Sequence, residues 1–197
     1  MTEPTSFAGL SSVAYQLCCT FAKQSRGDFK PVVAYPYACI ITSVTFMEAY
    51  FNEIIEIESS RGRLTAESAE RLKRVSMKQK LDGLLYDLAS RKWDKGRDPY
   101  QSFHQLLELR DELVHYKPKF QKVGGFPTRG IELVAKRFPH EWFGRTDWPV
   151  LVLTPPVADW ACRTAQRMVE EFHDLTGTVD LWKQDLPGWS QKWWDAK

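Results

Sequence analysis

Residues 32–59 read VVAYPYACIITSVTFMEAYFNEIIEIES, and this stretch decides the fold of the chain. It is rich in β-branched residues, so a β-strand is the competing prediction. Its apolar residues nevertheless recur with a helical period over several turns, which favours a core helix over an alternating strand. The members of this stripe are Tyr37, Ile40, Ile41, Val44, Met47, Phe51, Ile54 and Ile55. We therefore predict a long helix that buries one face.

Further helices are predicted on both sides of this stretch. Residues 11–23 are a plausible helix, and Thr65 is placed to cap a second one over residues 66–90. A third runs from Pro99 to Tyr116, because Pro118 stops it, and a fourth follows Thr154 and ends before Gly177. Residues 117–150 are rich in Gly, Pro and aromatic residues and predict irregular structure, with one short helix at IELVAKRF and a brief extended segment at WPVLVLTPP. The sequence therefore predicts an all-α fold.

Composition and charge limit the class of protein. The chain has 197 residues, of which 43% are hydrophobic and 26% charged, so a single domain with a sizeable core is expected. The formal net charge is only +2, which argues against a protein that coats polyanions without specificity. No apolar run approaches the roughly 18 residues that span a bilayer, so no membrane partner is expected.

The cysteines and the first residues predict a cytoplasmic location. The four cysteines are Cys18, Cys19, Cys39 and Cys162, and none belongs to a CxxC pair. Two adjacent cysteines suit neither a metal clamp nor an ordinary disulfide, so we expect free thiols in a reducing compartment. The opening MTEPTSFAGL lacks a basic segment followed by an apolar one, so no signal peptide is expected.

One arginine lies where a hydrophobic residue is expected. On a helical wheel, Arg110 falls inside the apolar arc formed by Phe103, Leu106, Leu107, Leu113 and Val114. An unpaired guanidinium is costly to bury, so we expect a carboxylate partner. Glu48 shares the apolar face of the long helix, with Asn52 four residues further on. We predict that Glu48 and Arg110 meet between the helices, either as a structural ion pair or as part of a site.

A histidine follows Arg110 after four residues. Asp111 is four residues before His115, so a side-chain hydrogen bond is expected to orient the imidazole and raise its pKa. His104 lies on the same flank, about three turns earlier. HExxH, P-loop and GxSxG motifs and carboxylate clusters with metal spacing are absent. Arg and His suffice for one metal-free reaction, in which His takes a proton from an RNA 2′-hydroxyl and Arg stabilises the phosphorane.

The segment LRDELVH resembles the R-x(4–6)-H signature of the HEPN superfamily, in which the residue after the arginine is usually Asn, Asp or His. Residues 34–56, AYPYACIITSVTFMEAYFNEIIE, are similar to the first core helix of many such proteins, and the resemblance covers roughly residues 32–118. It implies a dimerising, antiparallel four-helix bundle. We therefore expect a single HEPN-like domain, with its core at 32–118 and a C-terminal helical extension at 119–197.

The resemblance also implies an activity. Catalytic HEPN proteins are metal-independent endoribonucleases, often toxins or phage-defence effectors. Carried over by position, Arg110 stabilises the phosphate, Asp111 orients, His115 is the acid or base, and Glu48 supports the arginine. RNA, a second copy of the chain and an antitoxin protein are the implied partners, with no metal and no cofactor. The substrate-binding residues that we predict beside these are Asn52, His104 and Lys117. The alternative function is a non-catalytic helical module that binds a protein or a nucleotide.

Two further features of the sequence each allow two interpretations. RLKRVSMKQK, residues 71–80, contains five cations and is either a solvated helix face or an RNA-backbone contact surface. The tryptophan cluster near the C-terminus either stacks on bases or docks on this chain or a second subunit. Its members are Trp182, Trp189, Trp193 and Trp194.

Overall fold

The computed structural model describes residues 10–26, 33–115, 125–139 and 147–178, and every regular element in these ranges is an α-helix. The all-α prediction is therefore confirmed. The helices are α1 (Leu10–Ser25), α2 (Ala34–Ser60), α3 (Ala66–Lys73), α4 (Met77–Ala89), α5 (Tyr100–Val114), α6 (Arg129–Arg137), α7 (Trp148–Val152) and α8 (Pro155–Thr176). The tryptophan cluster at 182–194 lies outside the described residues.

α2 is the central helix of the bundle, and α1, α3, α4, α5 and α8 all pack on it. Its apolar side chains fill the core, because they recur every three or four residues and so reach the same neighbours. Phe51 meets Phe172 of α8 edge to face, with ring centroids 5.1 Å apart. The helical period thus prevailed over the strand preference of the β-branched residues, since packing on several sides outweighs intrinsic propensity.

α2 departs from the expectation that no stretch of the sequence is apolar and long enough to span a membrane. By length and composition alone, α2 is the one helix among the described residues that is apolar enough to cross a membrane. However, 56% of the relevant window is buried inside the bundle, as in the core helix of a globular protein. Burial on several sides explains why only a narrow strip of this helix is polar.

The predicted helix over residues 66–90 is two helices. Thr65 caps α3 as expected, accepting a hydrogen bond from the Ser68 amide at 3.1 Å. The chain leaves the helix after Lys73 and starts again at Ser76, where a reciprocal capping box forms: the Gln79 side chain accepts from the Ser76 amide at 3.2 Å. The box satisfies amides that would otherwise be unpaired at a helix start, which fixes the break.

The segment after residue 118 contributes to the same core. α8 begins with Pro155 and ends at Gly177, whose φ of 62° is the left-handed conformation that glycine adopts easily. Thr154 occupies the N-cap position, but its hydroxyl makes no capping bond. α6 matches the predicted short helix, whereas the extended segment predicted near Trp148 is wrong, since one helical turn forms there. α8 packs on α1, α2, α4 and α5, and the domain division stays a prediction.

Candidate functional site

The predicted contact between α5 and α2 is confirmed. Nη2 of Arg110 donates to Oε1 of Glu48 at 2.9 Å. The Arg110 side chain is 25% exposed, and that of Glu48 is 43% exposed. The position of Glu48 on the helical wheel had predicted a buried side chain. Glu48 instead lies at the rim of the packed face, where water still solvates it. The pair is a partly screened ion pair, which limits its contribution to stability.

The Arg110 guanidinium keeps donors that are not used within the described part of the chain. Nη1 lies 3.2 Å from Oδ1 of Asp111, the neighbouring residue. Nε is buried and has no hydrogen-bond partner among the described residues. An arginine carries five N–H donors, so one donor on each Nη atom remains beside the two carboxylate contacts. The guanidinium is thus held in place with donors still available.

The predicted hydrogen bond between Asp111 and His115 is wrong. The Asp111 carboxylate turns toward Arg110 instead. α5 ends at Val114, and His115 follows it as an exposed C-cap residue with φ −100° and ψ 24°. The i,i+4 geometry requires both residues inside the helix, so the early end of α5 removes the contact. Lys117 lies outside the described residues.

Asn52 contacts a lysine that sequence reasoning assigned to a solvated face. Nζ of Lys80 donates to Oδ1 of Asn52. Lys80 is only 6% exposed, so the prediction of a solvated face is wrong at this position. Burial lowers the pKa of the Lys80 ammonium, although the Glu48 carboxylate acts in the opposite direction. The signal was present in the sequence: Lys80 lies three residues after Met77 and four before Leu84, inside the apolar arc of α4.

Three polar residues of α2 line up and meet cations from three other helices. Glu48, Asn52 and Glu56 follow one another at four-residue spacing, and we call them the α2 polar stripe. Glu48 binds Arg110 of α5, and Asn52 binds Lys80 of α4. Glu56 completes the series, with Nζ of Lys73 of α3 at 2.7 Å from its Oε1. The stripe therefore fixes the register of three helices against α2.

His104 has the orienting carboxylate that was predicted for His115. Its Nδ1 lies 3.3 Å from Oε1 of Glu108, one turn later on α5. Its Nε2 lies 2.5 Å from Nζ of Lys78 on α4. The prediction placed His104 at a substrate-binding position without these neighbours. Lys78 was missed because the contact with α4 depends on the α3–α4 break, whereas the i,i+4 spacing of Glu108 from His104 could have identified Glu108.

Glu108 is in turn held by the first turn of α6. Thr128, the N-cap residue of α6, donates its hydroxyl to Oε2 of Glu108 at 3.3 Å. A carboxylate at the N-terminus of a helix is favoured by the helix dipole. Gly130 permits this approach, because a Cβ at that position would lie 2.0 Å from Oε2 of Glu108. The glycine is thus required by a close contact rather than by its backbone angles.

A groove lies beside this cluster, between α5 and α6. Its volume is 390 Å³, and it is lined by Asp98, Gln101, Gln105, Leu133 and Arg137. The predicted site residues are not in this lining. The described residues contain no group of three or more His, Cys, Asp or Glu side chains placed to hold a metal ion.

Comparison with protein-family models, with characterised proteins and with solved structures gives no match to this chain. The resemblance to the HEPN superfamily therefore continues to depend on the LRDELVH motif and the residues of α2, and the activity that it implies remains a proposal.

We predict that Gly130→Ala destabilises the wild type but stabilises a Glu108→Ala variant. In the wild type the new methyl group displaces the Glu108 carboxylate, so the free energy of unfolding falls by about 1 kcal/mol. In a Glu108→Ala background the obstacle is absent, and alanine stabilises α6 by up to about 1 kcal/mol through its higher helix propensity. Urea unfolding of the four proteins measures both values. The same sign in both backgrounds would show that Glu108 does not lie against Gly130.

We also predict that Lys80 makes stability rise with pH. Because its pKa is lowered on folding, the unfolded chain binds more protons between the lowered folded-state pKa and the ordinary lysine pKa of about 10.4. The free energy of unfolding of the wild type should therefore increase relative to that of Lys80→Met as the pH rises from about 7 to about 10. Paired urea titrations across this range measure the difference. A difference that stays constant or decreases would mean that the ammonium is not desolvated.

Proposed function

We propose that this chain is a homodimeric, metal-independent endoribonuclease that cleaves RNA through attack by the 2′-hydroxyl. The observation that carries the proposal is that Arg110 is fixed by Glu48 at the surface with donors remaining, while His115 lies exposed at the end of the same helix. These are the two kinds of group that the reaction requires in the absence of a metal.

In the proposed reaction His115 takes the proton from a 2′-hydroxyl. The 2′-oxygen attacks the adjacent phosphorus, and the bond from phosphorus to the 5′-oxygen breaks. The leaving oxygen takes up a proton, so the products are a 2′,3′-cyclic phosphate and a 5′-hydroxyl. The free Nη donors of Arg110 stabilise the negative charge that grows on the phosphorane. Glu48 and Asp111 hold the guanidinium in position.

The proposed substrate contacts extend along α4 and α5. The imidazole of His104 and the ammonium of Lys78 lie side by side and form one of these contacts. Asn52 is exposed and is the proposed contact here, while the buried Lys80 ammonium behind it donates to its side-chain oxygen. Lys117, just beyond α5 in the sequence, is expected to contact the RNA backbone.

The geometry of a single α5 favours a site shared by two copies of the chain. Positions 110 and 115 are separated by about 140° around the helix and about 7.5 Å along it. We therefore propose that Arg110 of one copy acts with His115 of the other across a two-fold axis. Val114, beside His115, is 47% exposed and supplies apolar surface for that contact. A toxin or phage-defence role in the cytoplasm, with an antitoxin protein as a further partner, completes the proposal.

We predict that the purified chain cleaves RNA in EDTA and leaves 2′,3′-cyclic phosphate ends. His115→Ala should lower the cleavage rate by about 10²–10⁴-fold, because it removes the general base. Arg110→Ala should cost a similar factor through lost charge stabilisation. Arg91→Ala is the matched control: Arg91 is exposed just after α4 and lies outside residues 71–80, so its removal should leave the rate unchanged. End-labelled RNA gels measure the rates, and circular dichroism verifies folding.

Two results would reject this mechanism. One is cleavage that requires an added divalent metal. The other is cleavage by folded His115→Ala at the wild-type rate. Sedimentation of the wild type with and without RNA tests the dimer separately, since a monomer at concentrations that support cleavage is incompatible with a shared site.

A second candidate function is a non-catalytic helical module that binds a protein or a nucleotide. The observation in its favour is that Asp111 faces Arg110 instead of His115, so the guanidinium lies between two carboxylates and the imidazole lacks that orienting group. A wild-type protein that binds an RNA or a nucleotide but leaves it intact in EDTA and in Mg²⁺ would favour this function.

A further inference from the structure

All four cysteines of the chain converge at one place between α1, α2 and α8. Cys18 and Cys19 belong to α1, Cys39 to α2 and Cys162 to α8. The Sγ atoms of Cys18 and Cys39 are 3.8 Å apart, and those of Cys19 and Cys162 are also 3.8 Å apart. The cysteines thus form two thiol pairs, each in van der Waals contact, from positions that are distant in the sequence.

The two pairs differ in access to solvent. Cys18, Cys39 and Cys162 are each 0% exposed, whereas Cys19 is partly exposed. A small solute in water therefore reaches the Cys19 sulfur first. Its nearest thiol, Cys162, lies directly behind it in the interior. The sulfur atoms of Cys18 and Cys39 have the same separation, but both residues are fully buried. This pair therefore serves as a control, because its thiols are close together but not exposed to solvent.

Neighbouring groups suit a reaction at Cys19. The Tyr15 phenol is one helical turn before Cys19 and lies close enough to hydrogen-bond to its sulfur. Burial, followed by the nearby Cys19 and Cys162 sulfurs, raises the pKa of Tyr15, so the phenol stays protonated and can donate.

We propose that Cys19 and Cys162 are a peroxide-reactive thiol pair that closes to a disulfide between α1 and α8. The Cys19 thiolate attacks one oxygen of hydrogen peroxide, the O–O bond breaks, and the released hydroxide takes up a proton to give water and a sulfenic acid. The Cys162 sulfur then attacks the Cys19 sulfur. The S–S bond forms, the S–O bond breaks, and the second hydroxide leaves as water with the Cys162 proton. Two electrons pass from the two thiols to one peroxide.

Burial explains why the second pair stays reduced, although hydrogen bonds favour the thiolate form of Cys18. Burial raises the pKa of the Cys18 thiol, but hydrogen bonds from Cys162, Cys39 and Ser43 outweigh it and hold the pKa well below its usual value. Ser43 Oγ lies 2.9 Å from the Cys18 sulfur. The Cys39 sulfur also lies 3.2 Å from the Ala158 carbonyl oxygen. This pair is fully packed, so peroxide meets neither sulfur.

The test uses the full chain after removal of reductant. The protein is treated with a few equivalents of hydrogen peroxide, its remaining thiols are alkylated after unfolding, and fragments are mapped by tandem mass spectrometry. The expected product is a Cys19–Cys162 disulfide, with Cys18 and Cys39 alkylated. A Cys18–Cys39 disulfide, or a Cys19 oxidised without any disulfide, would overturn the proposal. The wild type alone decides this, so the result does not depend on a variant that folds.

Variants then separate the two steps. Cys162→Ala should stop at the Cys19 sulfenic acid, which dimedone traps, and Cys19→Ala should slow peroxide consumption by at least tenfold. Cys39→Ala is the matched control and should form the Cys19–Cys162 disulfide at the wild-type rate. Zinc content is measured on the untreated protein. One equivalent of zinc that is lost in Cys162→Ala would assign the cysteines to a metal site and overturn the disulfide. RNA cleavage is not involved in any of these readouts.

Discussion

The α2 polar stripe is the constraint on which the rest of the structure depends. α2 is covered by five other helices and can leave only a narrow strip of its surface polar. Glu48, Asn52 and Glu56 occupy that strip, and each meets a basic side chain from a different helix. Apolar packing alone tolerates small rotations and shifts of helices, whereas three polar contacts in series specify one register.

The same constraint produces the candidate site. Glu48 and Asp111 hold the Arg110 guanidinium at the rim of the packed face between α2 and α5. One turn further along α2, Asn52 meets Lys80 of α4. Lys80 is a second cation, and it lies below the surface, where burial makes its charge costly. A phosphodiester that approached this rim would meet a positioned guanidinium and would offset part of the cost of the buried ammonium. In the proposed function, the two cations of these contacts, Arg110 and Lys80, are the groups that attract an anionic ligand.

The sequence predicted the features that depend on one helix. α2 and α5 followed from helical periodicity, and the contact between Glu48 and Arg110 followed from two charges in apolar arcs. Features that depend on where helices end or meet were not predictable in this way. His115 lost its expected carboxylate because α5 ends at Val114 instead of Tyr116, and Glu48 is partly exposed because a helical wheel does not show how far neighbouring helices reach. The helical-wheel argument that identified Arg110 would also have identified Lys80 as a buried cation, because Lys80 lies inside the apolar arc of α4. The convergence of Cys39 and Cys162 with α1 is purely tertiary.

The central claim is that Arg110, while paired with Glu48, binds an RNA phosphate. Arginine side-chain ¹H–¹⁵N spectra, recorded during titration with a 2′-O-methyl oligonucleotide, test it directly, because such an RNA binds but lacks the nucleophile for cleavage. Arg110→Lys assigns the Arg110 Nε–H signal. We predict a saturable shift of this signal, while the signal of the exposed Arg91 stays in place. Binding of the oligonucleotide that leaves the Arg110 signal unchanged would contradict the account and would reduce the pair with Glu48 to a structural contact.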